Sequence, residues 1–129
     1  MIFPEKLDVL TVHATLIAKT GGTSGLRDEA LLESALAATQ NRHRYEAADI
    51  VRCAATYAYH LTQAHAFSDG NKRVAAAITE AFLETNGFEL TMTNEELVLL
   101  FLAIASGEIS REQTEQRLRD KVKEKTHPH

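Results

Sequence analysis

The nine residues His65-Ala66-Phe67-Ser68-Asp69-Gly70-Asn71-Lys72-Arg73 separate two apolar helical runs, and their reading decides the fold. Upstream, Ile50, Ala54, Ala58 and Leu61 keep helical spacing within residues 47–64. Downstream, Val74, Ile78, Ala81, Phe82 and Thr85 keep it from about Asn71 to Asn86. The stretch is therefore a loop joining two central helices. Lys72 and Arg73 fall on the first turn of the second helix, an end that already carries partial positive charge from unpaired N–H groups. Two cations there cost stability unless an anion neutralises them, and such conflicts between local preference and fold mark functional sites. For a glycine-bearing turn with free N–H groups, the simplest anion is a phosphate.

Each residue of the loop has a chemistry that suits this reading. His65 can take a proton near neutral pH. Asp69 offers hard oxygens suited to Mg²⁺, and Gly70 lets the backbone turn tightly against a ligand. Asn71 can cap the helix, bind phosphate or bond to the loop, while Lys72 and Arg73 bring charge, the arginine binding two phosphate oxygens at once. Phe67 alternates with polar neighbours and is expected to point inward as an anchor. Taken singly, His65 reads as a solvated histidine, Asp69 as a turn residue, and Lys72 with Arg73 as a solvated helix face. Together they supply the base, metal ligand, anion cradle and cations of a phosphoryl or nucleotidyl transfer site.

Outward from the loop, the chain reads as all-α. Leu7, Leu10, Ala14 and Ile17 predict a helix over residues 5–19, preceded by Pro4 and ended by Gly21, Gly22 and Gly25. Asp28 caps a second helix carrying Leu31, Leu32, Ala35 and Leu36. Residues 40–49 are polar and aperiodic, and are read as an exposed loop or small flap. Asn86-Gly87 ends the helix after the loop, and residues 88–92 suit a short extended piece. Thr93 with Glu96 forms a capping box for an apolar helix ending at Gly107, and Ser110 with Gln113 forms another for a charged helix reaching about Lys125. Residues 1–125 are expected to form one domain, and 126–129 a frayed tail.

The totals narrow the function classes. With 129 residues, 44% of them hydrophobic and 25% charged, the chain suits a single globular domain. A net charge of -4 argues against a dedicated nucleic-acid binder. The lone Cys53 forms no internal disulfide and sits in an apolar run, so a buried thiol in a reducing cytoplasm is expected. No signal peptide and no membrane span are expected.

The loop string resembles the signature of the Fic/Doc family in its Doc (death-on-curing) form. Gly21-Gly22-Thr23-Ser24-Gly25-Leu26-Arg27-Asp28, the following Leu31-Leu32-Glu33-Ser34-Ala35, His13 and Gly107-Glu108-Ile109-Ser110 also fit Doc-like proteins, so the resemblance spans nearly the whole chain. Fic AMP-transferases usually carry proline after the histidine and a second glycine after the asparagine; here Ala66 and Lys72 stand there. Doc toxins share the lysine. The resemblance implies a compact helical Fic/Doc fold and a Mg²⁺-dependent kinase that moves the γ-phosphate of ATP to a threonine of elongation factor Tu, halting translation. On that reading His65, Asp69, Lys72 and Arg73 are catalytic, Asp69 is the metal ligand, and Gly70, Asn71, Lys72 and Arg73 hold phosphate.

The family's self-inhibiting helix, with Ser or Thr, then Glu four residues later, then Gly or Asn, has no counterpart: Thr91 and Glu95 have the spacing, but Glu96 follows. The resemblance therefore implies a Phd-like antitoxin as partner, and places residues 40–49 where the family has a substrate-docking flap. The alternatives are a Fic-type AMP-transferase, a non-catalytic binding protein on the same fold, and a metal-dependent phosphohydrolase. The last lacks an adjacent His-Asp pair, with His60 and His65 merely near each other in sequence. His43, His127 and His129 are read as surface residues, and one cysteine with scattered histidines does not make a zinc site.

Overall fold

The computed structural model describes residues 1–125; the tail expected at 126–129 lies outside the described residues. Among the described residues there are six helices and one small sheet: α1 (Lys6–Thr20), α2 (Glu29–Glu46), α3 (Ile50–Ala64), α4 (Asn71–Thr85), β1 (Phe88–Leu90), α5 (Asn94–Ser106), α6 (Arg111–Arg119) and β2 (Val122–Glu124). The all-α reading holds for the body of the chain. No helix among the described residues is long and apolar enough to cross a membrane.

α3 is the spine. It packs against α2, α4, α5 and α6, and its Val51, Cys53, Ala54, Ala55, Tyr57, Ala58 and Leu61 are all buried. Burial on every side is possible because alanine and cysteine let the neighbouring helices approach closely. Thr56 also stays inside because its hydroxyl donates to the Arg52 carbonyl at 2.7 Å. The Cys53 thiol is fully buried, as expected, and burial pushes its pKa up to about 11, which suits packing and not nucleophilic attack. Around the spine sit Leu32, Ile78, Leu83, Leu100, Ile104 and Leu118, each nearly or wholly shut off from water.

The capping signals act as read. Asp28 accepts from the Leu31 N–H at 3.1 Å, and Thr93 and Glu96 exchange reciprocal bonds, each 3.1 Å long. The Ser110–Gln113 box opens α6 in the same way. Each such cap contributes about 1 kcal/mol.

Three boundaries differ from the sequence expectation. Residues 40–46 are not a flap: α2 continues to Glu46. The segment carries no apolar period because its polar residues find tertiary partners. Arg42 donates to the Thr56 hydroxyl at 3.0 Å, and His43 Nδ1 donates to the Ala48 carbonyl at 3.0 Å. His43 also packs edge-on against Phe3, so it is an internal strut and not a surface residue. α3 then begins at Ile50 and not near Ala47, with Asp49 accepting from the Arg52 N–H at 2.9 Å. Finally, the last helix stops at Arg119 and not near Lys125. Residues 122–124 turn back as a strand, antiparallel to β1, with Phe88 opposite Glu124 and Leu90 opposite Val122. Cross-strand pairing of so short a piece leaves no period to read in the sequence.

α6 is bolted to the start of α3 by ions. Arg119 reaches Asp49 at 2.6 Å and Glu115 at 3.0 Å, while Arg52 reaches Glu115 at 2.8 Å. The Arg52 hydrogen bond, followed by that of Arg119, holds the Glu115 carboxyl below its ordinary value of 4.5. A carboxylate depressed in the folded state adds stability that is complete above its unfolded pKa and lost as pH falls through the folded value. Thermal unfolding followed from pH 7 downward should therefore show Tm falling below about pH 4.5, with a shallower fall in Glu115→Gln.

Candidate active site

The spine and α4 set the site between them. α3 ends at His65, which adopts a left-handed conformation (φ 48, ψ 42), and α4 starts from Gly70, also left-handed (φ 78, ψ 17). For a non-glycine residue that conformation is unfavourable, so the surroundings must hold His65 in it. They do so through its carbonyl, which accepts from Arg27 Nη2 at 2.7 Å. The His65 ring is left exposed at the mouth of a cavity.

A second segment is zipped onto the loop. The Arg27 and Asp28 N–H groups both donate to the Ala66 carbonyl, at 2.8 and 3.0 Å, and the Ser68 N–H donates to the Gly25 carbonyl at 3.2 Å. Leu26 and Phe67 thereby form an isolated antiparallel bridge. Phe67 is buried, as expected, and lies under the His13 ring at 3.9 Å with the rings 13° from parallel. His13 is itself buried, and its Nε2 lies 2.7 Å from the Asp69 carbonyl. A carbonyl only accepts, so Nε2 carries the proton. Asn71 takes the loop-bonding role of the three open to it. Its Oδ1 accepts from the Phe67 N–H at 3.1 Å, and its Nδ2 donates to the Phe67 carbonyl at 2.9 Å.

Asp69 is positioned through both oxygens. Oδ1 accepts from the Gly70 N–H at 2.8 Å, and Oδ2 lies 3.3 Å from the Thr23 N–H. Each oxygen keeps a lone pair, and the side chain stays about half exposed. Arg73 has one guanidinium nitrogen 3.8 Å from Asp69 Oδ1 and another donating to the Thr20 hydroxyl. Lys72 is exposed and enters no ion pair among the described residues. The first N–H groups of α4, at Asn71, Lys72 and Arg73, find no acceptor among the described residues, and no side chain caps that end.

The structure thus gathers the residues singled out in the sequence around one opening. A cavity of about 200 Å³ is lined by Thr62, His65, Ser68, Asp69, Gly70, Asn71, Lys72, Arg73 and Ala105. Its floor is a helix N-terminus with unspent donors, flanked by two cations, a carboxylate and an exposed histidine. Such an arrangement favours an anion with several oxygens. His60, by contrast, does not join His65. Arg111 donates to its Nε2 at 3.1 Å, burial together with the Arg111 charge holds its pKa below the ordinary value, and it lines a different cavity. Among the described residues no group of three or more His, Cys, Asp or Glu is placed to hold a metal. Asp69 alone suits a Mg²⁺ that arrives on a polyphosphate, since that ion keeps waters and takes one or two carboxylates.

Positioning residues outside the loop carried no chemical signal in the sequence. Arg27 acts across 38 positions, His13 across 56 and Thr20 across 53. His13 stood out only through the family resemblance, and the 21–28 segment otherwise only as a glycine stop followed by the Asp28 cap.

With the geometry in place, comparison with known proteins defines the class. A sequence model described as the Fic/DOC family matches residues 4–83. The chain belongs to the Fic/Doc family. Its similarity extends to the "Protein kinase doc" of Escherichia phage P1, with 34% identity over 110 residues covering 84% of this chain and 85% of that protein. The match includes the zipped segment as well as the loop, and so places the chain on the Doc side of the family.

Two neighbouring glycines test the packing of this segment against Asp69. A Cβ at Gly22 would lie 2.4 Å from Asp69 Oδ2, whereas one at Gly21 would meet nothing within 4 Å; both have positive φ, 114 and 78. Gly21→Ala should cost only the backbone strain, about 1–3 kcal/mol, whereas Gly22→Ala should cost about 1–3 kcal/mol more because the carboxylate must move. Urea unfolding of the two variants measures the difference.

Proposed function

We propose that this chain is a Doc-type toxin, a protein kinase that transfers the γ-phosphate of ATP to a threonine hydroxyl of a translation protein, elongation factor Tu being the target class implied by resemblance. The observation that carries the reading is the single cavity that joins His65, Asp69, Lys72 and Arg73 to the open N-terminus of α4. The phage protein named as a kinase supports the class of reaction. Lys72 supports phosphate over AMP transfer, because its stem and charge stand where Fic AMP-transferases have a glycine.

The chemistry follows from the positions. The acceptor hydroxyl loses its proton to His65 as its oxygen bonds to the γ-phosphorus, and the bond from that phosphorus to the β–γ bridging oxygen breaks, releasing ADP. The unspent N–H groups of Asn71, Lys72 and Arg73, with the Lys72 and Arg73 side chains, stabilise negative charge on the transferring group. Gly70 lets the loop turn into α4, since its φ of 78 disfavours a side chain and a Cβ there would lie 3.3 Å from Ile17 Cδ1. Asp69 would hold Mg²⁺ on the nucleotide phosphates, where the ion would offset their charge. Asn71 contributes by fixing the loop through Phe67. A chain that stops translation needs restraint, and we assign that role to a Phd-like antitoxin in the same cytoplasm.

Purified chain with Mg²⁺, a bacterial lysate and ATP labelled at the γ- or the α-phosphate tests the reading. Label should enter one protein band from the γ position alone, and His65→Ala should reduce transfer by about 10²–10⁴-fold, the usual worth of a positioned base. Label from the α position would make the chain an AMP-transferase. No protein label from either position would contradict transferase activity on proteins in that lysate.

A further inference from the structure

The cavity that His60 lines is separate from the loop site. About 220 Å³ in volume, it opens between α2 and α3 and is bounded by Leu31, Ser34, Ala35, His60, Gln63 and Ala64. Two of its polar groups have fixed hydrogen-bonding roles. Arg111, at the start of α6, donates to His60 Nε2 at 3.1 Å. A guanidinium only donates, so Nε2 offers its lone pair and the proton of the neutral ring sits on Nδ1. Burial, then the charges of Arg111 and Arg42, lower the His60 pKa, which keeps the ring neutral at pH 7. The Nδ1–H finds no acceptor among the described residues and is not shut off from solvent. Gln63 is fixed in the complementary sense. Its Nε2 donates to the Ile104 carbonyl at 2.6 Å, a contact that only the amide nitrogen can make, so Oε1 is left as an accepting oxygen. The two residues stand three apart on α3 and share one face of the helix. The cavity therefore sets one donor beside one acceptor, between the apolar Leu31, Ala35 and Ala64 and the exposed Ser34 at its rim.

A carboxamide matches this pair: its oxygen accepts from His60 and its nitrogen donates to Gln63. A carboxylate has no proton for Gln63, and an ammonium has nothing to accept from His60. We infer that this cavity binds the carboxamide of an asparagine or glutamine side chain of the protein substrate. Its place in the substrate follows from the nearness of the two openings, since Ala64 lines this cavity and His65 lines the loop cavity. From His60 to His65 the helix rises about 7.5 Å. Two residues of extended chain cover about 7 Å and put their side chains on one face. The carboxamide residue thus stands two positions from the hydroxyl that His65 deprotonates. That placement rests on the phosphoryl-transfer reading above; carboxamide binding itself does not.

Side-chain ¹H–¹⁵N NMR of the labelled chain tests the binding, with propionamide as probe and propionate and methyl propionate, which lack the N–H donor, as controls. The free protein should show His60 protonated at Nδ1. Propionamide should move the His60 ring and Gln63 amide signals to saturation, and both controls should bind about tenfold more weakly. Arg111→Met frees Nε2 and lets the ring tautomers mix, so propionamide binding should weaken by about threefold or more. Leu31→Trp, at a partly exposed wall, should fill the cavity and abolish it. A proton on Nε2, propionate binding as tightly as propionamide, or signals that propionamide does not move would each overturn the carboxamide site. The same Leu31→Trp variant should raise KM for the labelled protein by about tenfold and leave KM for ATP unchanged. Propionamide binding that is intact in the wild type, with KM for the protein unmoved by the variant, would overturn the placement and give the cavity to a free small amide. Absence of phosphoryl transfer by the wild type would overturn the reading beneath the placement, while the propionamide result would stand.

Discussion

The zipper between residues 25–28 and 66–68 is the constraint on which the rest of the site depends. A loop of this kind resists order, since fixing each residue's backbone costs about 1–2 kcal/mol. Here the cost is offset mostly from outside the loop. The carbonyls of His65, Ala66, Phe67 and Asp69 are bound by Arg27, by the Arg27 and Asp28 amides, by Asn71 and by His13. The first three amides of α4, which every uncapped helix leaves unpaired, find no acceptor among the described residues and lie at the edge of the cavity. The Gly70 and Thr23 amides set the Asp69 carboxylate beside Arg73, and the His65 ring faces outward. The position of the loop and of its carboxylate thus follows from backbone contacts.

Those contacts are only as firm as the elements that make them. α3 gives the firmness, being buried along its length, and it ends at His65. α4 leaves at once from Gly70 and carries its cations on its first turn, where the helix dipole opposes them. Asp69 relieves part of that repulsion from 3.8 Å, but it reaches Arg73 and not Lys72. The residual positive charge is held in place by a core that it does nothing to stabilise. A site in this condition gains stability when an anion arrives, which couples ligand binding to stability.

Much of this was legible in the sequence because it rests on local chemistry. Caps at Asp28, Thr93 and Ser110, glycine stops at Gly87 and Gly107, and the spacing of Ile50, Ala54, Ala58 and Leu61 each act within a few residues. The loop was legible because its residue types are close together and costly in combination. What the sequence hid is long-range. Residues 40–46 look like a loop because their helix is held by Arg42 and His43 reaching other segments, not by an apolar stripe. The β1–β2 pair joins pieces more than thirty residues apart. Arg27 looks like an ordinary surface cation until the fold brings it to the His65 carbonyl. The cavity beside His60 is likewise a product of packing between α2 and α3, with no motif of its own.

The most direct measurement is a backbone amide NMR titration of the ¹⁵N-labelled chain with Mg²⁺-ATP. If the start of α4 holds phosphate, the amides of Asn71, Lys72 and Arg73 should shift most among backbone sites, while those of β1 and β2 stay still. Saturation with ATP that moves amides elsewhere and leaves these three unchanged would contradict the account.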